Sequence, residues 1–198
     1  MPKITKTPWI SRRNAAGGWR TCRDTAGKWS ARRIAAAGLI AAVYAVLTVL
    51  LPIPQYGAVQ LRVAEAMTVL PFLFPEAVPG LVAGCFLANL FSPFLLDCVF
   101  GTLATLIAAV WTSRVKHPIL APLPPVICNA VIVGAEIAWF AAGEGENFWR
   151  AYAFNALTVG AGEAVACYLL GTLLLAALAR VPFPENPTLH QPPISNDF

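Results

Sequence analysis

Residues 59–91, VQLRVAEAMTVLPFLFPEAVPGLVAGCFLANLF, decide how this chain is laid out. The stretch is mostly apolar, yet it carries Arg62 and Glu65 three residues apart near one end. A helix rises about 1.5 Å per residue, and roughly 20 residues cross the hydrocarbon core of a bilayer. Thirty-three residues are too many for one crossing. FPEAVPG, residues 74–80, also interrupts the run with two prolines, a glutamate and a glycine. The stretch therefore reads as two short segments, 59–74 and 78–91, joined by a turn.

Four further apolar runs flank the pair, at 34–51, 94–114, 124–142 and about 149–179. The first three of these have the length of a bilayer crossing, and the last exceeds it, so its start reads as an interfacial segment. Charge decides the count. Six passes place the N-terminal tail, the Glu76 turn, the Arg114/Lys116 loop and Arg180 on one side, with 12 of the 14 Lys and Arg; only Arg62 and Arg150 lie opposite. Merging 59–91 into one pass would send Arg114 and Lys116 outside. Basic residues collect on the cytoplasmic side, so the pattern predicts an all-α membrane protein, a six-helix transmembrane bundle with both termini cytoplasmic. The two short segments then sit inside the bundle or in locally thinned lipid. The chain divides into a basic tail, 1–33, read as largely disordered, a transmembrane domain, 34–180, and a Pro-rich cytoplasmic tail, 181–198.

Composition agrees. The chain is 58% hydrophobic and 12% charged, against about 25% charged in ordinary soluble domains. Nine of the 14 basic residues precede Ile34. The net charge of +4 therefore belongs to a tail beside a membrane segment and gives no reason to expect a nucleic-acid partner. Cys22, Cys85, Cys98, Cys128 and Cys167 include no CxxC pair, and His117 and His190 are isolated, so no metal site or disulfide framework is expected.

On this topology the polar residues of the apolar runs face outward. Arg62 and Glu65 lie in the outer part of the second segment, Asn89 at the outer end of the third, Asp97 at the outer start of the fourth and Glu136 in the outer half of the fifth. Asn155 and Glu163 fall on the sixth, counted from its outer end. Ionisable groups inside a membrane are costly and face a bundle interior or a wet cavity. Arg62 and Glu65 share a face at i,i+3; Asn155, Val159 and Glu163 share another at i,i+4,i+8. Arg62 and Glu65 alone read equally well as a structural ion pair, but the whole set reads as an outward-facing polar cavity. Ala37, Ala41 and Ala45 on the first segment, and Gly80 and Gly84 on the third, form small faces that permit close helix approach. LPIPQYGAVQ, residues 51–60, links the first two segments and reads equally as a plain connector or as a cap that brings Tyr56 and Gln60 over the cavity.

No HExxH, GxSxG or Walker A motif occurs. A carboxylate dyad such as Asp97 with Glu163 is the one basis for enzymatic chemistry, and nothing in the spacing requires it. An assembly protein would also fit the composition. So would an autonomous secondary transporter, although the chain lacks the obvious inverted repeats of that class.

AAVYAVLTVL (41–50) followed by VQLRVAEAMTVLPFLFPEAVPGLVAGCFLANLFSPFLLDCVFGTLATLIAA (59–109), LAPLPPVICNAVIVG (120–134) and FNALTVGAGEAVACYLLG (154–171) closely resemble the QueT family of queuosine-precursor transporters. The resemblance spans about Ala35 to Leu174. It implies a six-helix substrate-binding S component of an energy-coupling factor (ECF) importer in a prokaryotic plasma membrane. Such a component has no ATPase or cofactor of its own and is energised by a membrane scaffold protein and two ATPase subunits. It further implies that the alanine face Ala37, Ala41 and Ala45 meets the scaffold, and that the ligand is a 7-deazaguanine such as preQ1 or queuine. The runner-up is an S component for another small ring-containing vitamin. A guanine-like edge offers paired N–H donors to a carboxylate and an O6 acceptor to a donor. Glu163 and Glu65 are the leading carboxylates, Asp97 the next. Asn155 and Asn89 orient the base, Arg62 and Gln60 donate, and Tyr56 and Phe94 stack on the ring.

Overall fold

The computed structural model describes residues 31–51, 62–74 and 76–178, which form helices and turns with no strand among them. Tyr56, Gln60, most of the basic tail and the Pro-rich tail lie outside the described residues. Helix α1 is Ala31–Leu50. A 3-10 helix, Val63–Phe72, follows, then α2, Ala77–Asn89, and α3, Asp97–Thr112. A 3-10 turn at Pro118–Leu120 leads into α4, Leu123–Gly143. Helix α5, Phe148–Ala164, continues through a π-helical turn, Val165–Gly171, into α6, Thr172–Leu178.

The boundaries follow from local chemistry. Helix α1 is alanine-rich and stops one residue before Leu51, which precedes Pro52; proline disfavours helical geometry in the residue before it. Pro124 and Pro125 open α4, where their missing N–H groups would have no helical partner anyway. Gly145, at φ 99°, turns the chain between α4 and α5. The Asn147 side chain caps α5 by accepting from the Arg150 N–H at 3.2 Å. The last apolar run is thus helical from Phe148 onward.

Three helical stretches are long and apolar enough to cross a membrane: Ala31–Leu50, Pro118–Gly143 and Phe148–Leu178. Val63–Phe72, Ala77–Asn89 and Asp97–Thr112 are shorter apolar helices. Neighbours in sequence pack side by side, α1 on α2, α2 on α3, α3 on α4 and α4 on α5. The 3-10 helix lies among them, against the π turn, α3 and α1. Here the structure differs from the expected α-helix. A 3-10 run of ten residues is long for its kind, and every residue from Ala64 to Pro71 is buried, so the segment is supported on all sides.

The helix surfaces are largely apolar while Arg62, Glu65, Asp97, Glu136 and Glu163 are buried; charged residues in loops and at helix ends, such as Lys116, Glu144 and Arg150, are exposed. Leu95, Leu157 and Trp149 are 80%, 73% and 72% exposed, whereas Glu65 is 0% exposed and Arg62 only 4%. That inversion of the usual soluble pattern is what a hydrocarbon solvent selects.

Candidate functional site

The buried polar side chains fall into two groups at different depths, joined by the seam between α4 and α5. Three contacts set the antiparallel register of that seam. Gly134 lies against Ala156, Gly160 against Ala130, and Asn129 Nδ2 donates to Glu163 Oε1 at 2.8 Å. The same register brings Glu136 level with Asn155. Asn129, Val133 and Glu136 form one face of α4, and Asn155, Val159 and Glu163 the facing side of α5; all six are buried. Reading along the seam gives an amide–carboxyl rung, an apolar rung of Val133 and Val159, and a second amide–carboxyl rung.

The first group surrounds Asn129 and Glu163. Glu65 receives a hydrogen bond from the Tyr44 hydroxyl on α1 and stands 4.0 Å from Arg62. The sulfur of Cys167, placed by the π turn, contacts Glu163 Oε2 at 3.6 Å and the Glu65 carbonyl at 3.4 Å. Thr68 Oγ1 bonds the same carbonyl at 2.6 Å and meets Cys167 at 3.5 Å. Glu65 Oε2 and Asn129 Oδ1 are buried without a hydrogen-bond partner among the described residues.

The second group gathers where α2 ends and α3 begins. The Ser92 hydroxyl donates to the Asp97 carboxylate, and Asn89 Nδ2 donates to the Asp97 carbonyl at 2.8 Å. Gly101 makes room for that amide, since a Cβ there would lie 2.8 Å from Asn89 Nδ2. The Glu136 carboxyl faces that of Asp97. Neither Glu136 oxygen, nor Asn89 Oδ1 or Asn155 Oδ1, has a hydrogen-bond partner of good geometry among the described residues. Phe94 and Phe140 pair close by, with centroids 5.1 Å apart. Arg62 interacts electrostatically with Glu65, Glu163 and Glu136 and so connects both groups.

Of the expected site residues, Glu163, Glu65 and Arg62 come together in the first group, and Asp97, Asn89, Asn155 and Phe94 in or beside the second. Two expectations change. The carboxyls do not all lie at one end: Glu163 sits across from Asn129, near the start of α4, and is deeper than Asp97. The partner of Asp97 is Glu136, so the Asp97–Glu163 dyad is absent. Ala37 and Ala41 face α2, where a Cβ on Gly80 or Gly84 would come within 2.7 Å of their carbonyl oxygens; Ala45 is half-buried. Tyr44 and Asn129 join the site without having been expected there. Each is a polar side chain in an apolar run, and Asn129 lies seven residues before Glu136, a helical spacing of the kind that singles out Asn155 and Glu163.

The family model for the QueT transporter matches residues 34–180. The chain belongs to the QueT transporter family. No curated protein and no solved structure matches it. Membership makes this chain a transport component, and its carboxyls are read as binding groups. The match takes in every described residue of both polar groups.

Proposed function

We propose that this chain is the S component of an ECF-type importer, binding a queuosine precursor, a 7-deazaguanine, from outside and releasing it inward. All six helical segments then span or fill the bilayer of a prokaryotic plasma membrane, with both termini cytoplasmic. ATP is supplied by a partner module of scaffold protein and two ATPase subunits. The observation that carries the substrate reading is the α4–α5 seam with its two amide–carboxyl rungs inside an apolar exterior. Seven residues separate Asn129 from Glu136, a rise of about 10 Å, comparable to the long dimension of a bicyclic base with a short arm.

The residue chemistry supports a guanine-like edge at the first group. Glu65 Oε2 and Asn129 Oδ1 are acceptors with unused capacity, suited to ring and exocyclic N–H donors. Arg62 offers a donor to a ring carbonyl. Val133 and Val159 supply an apolar wall for the ring. For Ala37, Ala41 and Ala45 to receive the scaffold protein, α1 has to part from Gly80 and Gly84, so docking on that face is coupled to opening of the α1–α2 seam.

The test is equilibrium binding of preQ1, queuine and guanine to the purified protein in detergent, for wild type and Glu163→Gln. The expected result is saturable binding of a deazaguanine, weakened about tenfold or more by the substitution with folding retained. Folded wild type that binds none of them would overturn the substrate assignment.

A further inference from the structure

The second polar group holds more acceptor capacity than its surroundings satisfy. Among the described residues, four carboxyls are buried (Glu65, Asp97, Glu136 and Glu163) and Arg62 is the only buried cation. Arg62 stands 4.0 Å from Glu65 and reaches Glu163 and Glu136 through longer-range interaction. Asp97 has the Ser92 hydroxyl as its donor. Glu136 is 5% exposed, and both its oxygens lack a hydrogen-bond partner of good geometry among the described residues. Asn89 is 1% exposed and anchored to the Asp97 carbonyl through Nδ2, which leaves its Oδ1 as a further buried acceptor without a partner. Carboxyl oxygens and an amide oxygen that lack donors in a dry interior call for a ligand that brings donors and positive charge. The Phe94–Phe140 pair beside them presents ring faces of the kind that attract organic cations.

We infer that Asp97 and Glu136, with Asn89, form a subsite for a primary ammonium group carried on the substrate's side arm. This rests on the deazaguanine reading and deepens it. The base edge is held at Glu65 and Asn129, the ring lies along Val133 and Val159, and the arm ends between Asp97 and Glu136. The site then selects precursors bearing an aminomethyl arm over those with a neutral arm of similar length. The Ser92 hydroxyl and Asn89 Nδ2 are already engaged by Asp97, so a neutral nitrile gains less there than an ammonium, which donates charge-assisted bonds to the carboxyls.

The test compares binding of a 7-aminomethyl-7-deazaguanine with its 7-cyano counterpart, on the full chain in detergent, for wild type, Glu136→Gln and Asp97→Asn. In wild type the aminomethyl compound should bind at least about tenfold tighter, as expected for charge-assisted hydrogen bonds. In either variant the ratio of the two affinities should fall toward one. If one variant fails to fold, the other is read the same way, with thermal melting in detergent as the check. A ratio that persists in the folded variants, or wild type that binds both compounds equally, would overturn the ammonium subsite while leaving the deazaguanine reading intact. If folded wild type binds neither compound, the parent reading and the subsite fall together.

Discussion

At the scale of single residues, the site is held by hydrogen bonds whose loss leaves charge buried. Asn129 is 2% exposed and donates to Glu163. Removing that donor leaves a buried carboxyl oxygen short of its partner, which costs about 1–3 kcal/mol or more. Asn129→Ala should therefore lower the melting temperature in detergent and weaken ligand binding; a variant with wild-type melting would show that Glu163 is held by other groups. These residues were only partly legible in the chain itself. Glu163, Asn155, Asp97 and Asn89 stand out because a membrane segment has no ordinary reason to contain them. Tyr44 does not, since tyrosine is common in apolar runs and only the fold reveals that its hydroxyl reaches Glu65. Tyr56 and Gln60 lie outside the described residues, and their roles stay proposals.

At the scale of elements, packing depends on small residues at one seam. A Cβ on Gly84 would lie 2.7 Å from the Ala41 carbonyl oxygen and 2.9 Å from Tyr44 Cβ. Because the close atoms include backbone, relief requires moving α1 away from α2. Gly84→Val should destabilise by about 1–3 kcal/mol, the usual range for overpacking. Gly38, also on α1, has nothing within 4 Å of its would-be Cβ, so Gly38→Ala should be neutral or stabilising by up to about 1 kcal/mol. Melting of both variants in the same detergent checks the contrast, and equal effects would mean that the seam does not control α1. The six helical segments were legible from apolar length, proline breaks and charge. The 3-10 geometry was not. Helix type is read from a rhythm of buried and exposed positions, and residues 64–71 are buried without interruption.

At the scale of the whole molecule, the orientation proposed for the chain has a direct consequence. Lys116 lies between α3 and α4, and Gly145 between α4 and α5, at opposite ends of α4. In sealed cells, on a background with the five native cysteines replaced, Gly145→Cys should react with a membrane-impermeant thiol reagent, and Lys116→Cys only after permeabilisation. The reverse result would invert the topology, and labelling of both would break the six-pass count. Basic residues carried this expectation because their bias is summed over the whole chain, whereas the depth of each carboxyl depends on how far the helices slide past one another. That sliding is set by contacts such as Gly134 with Ala156, which no single run of sequence displays.

The buried 3-10 helix bears on how freely this protein can vary. Most membrane helices have one side that tolerates almost any greasy substitute, because lipid adapts to whatever it touches. Residues 64–71 have no such permissive side. Each position is wedged against another part of the chain, and the carboxylate of Glu65 lies within the same short stretch. Innovation in what the transporter carries is therefore easier to reach through the rungs of α4 and α5, where the opposite helical faces remain free to drift, than through this central rod.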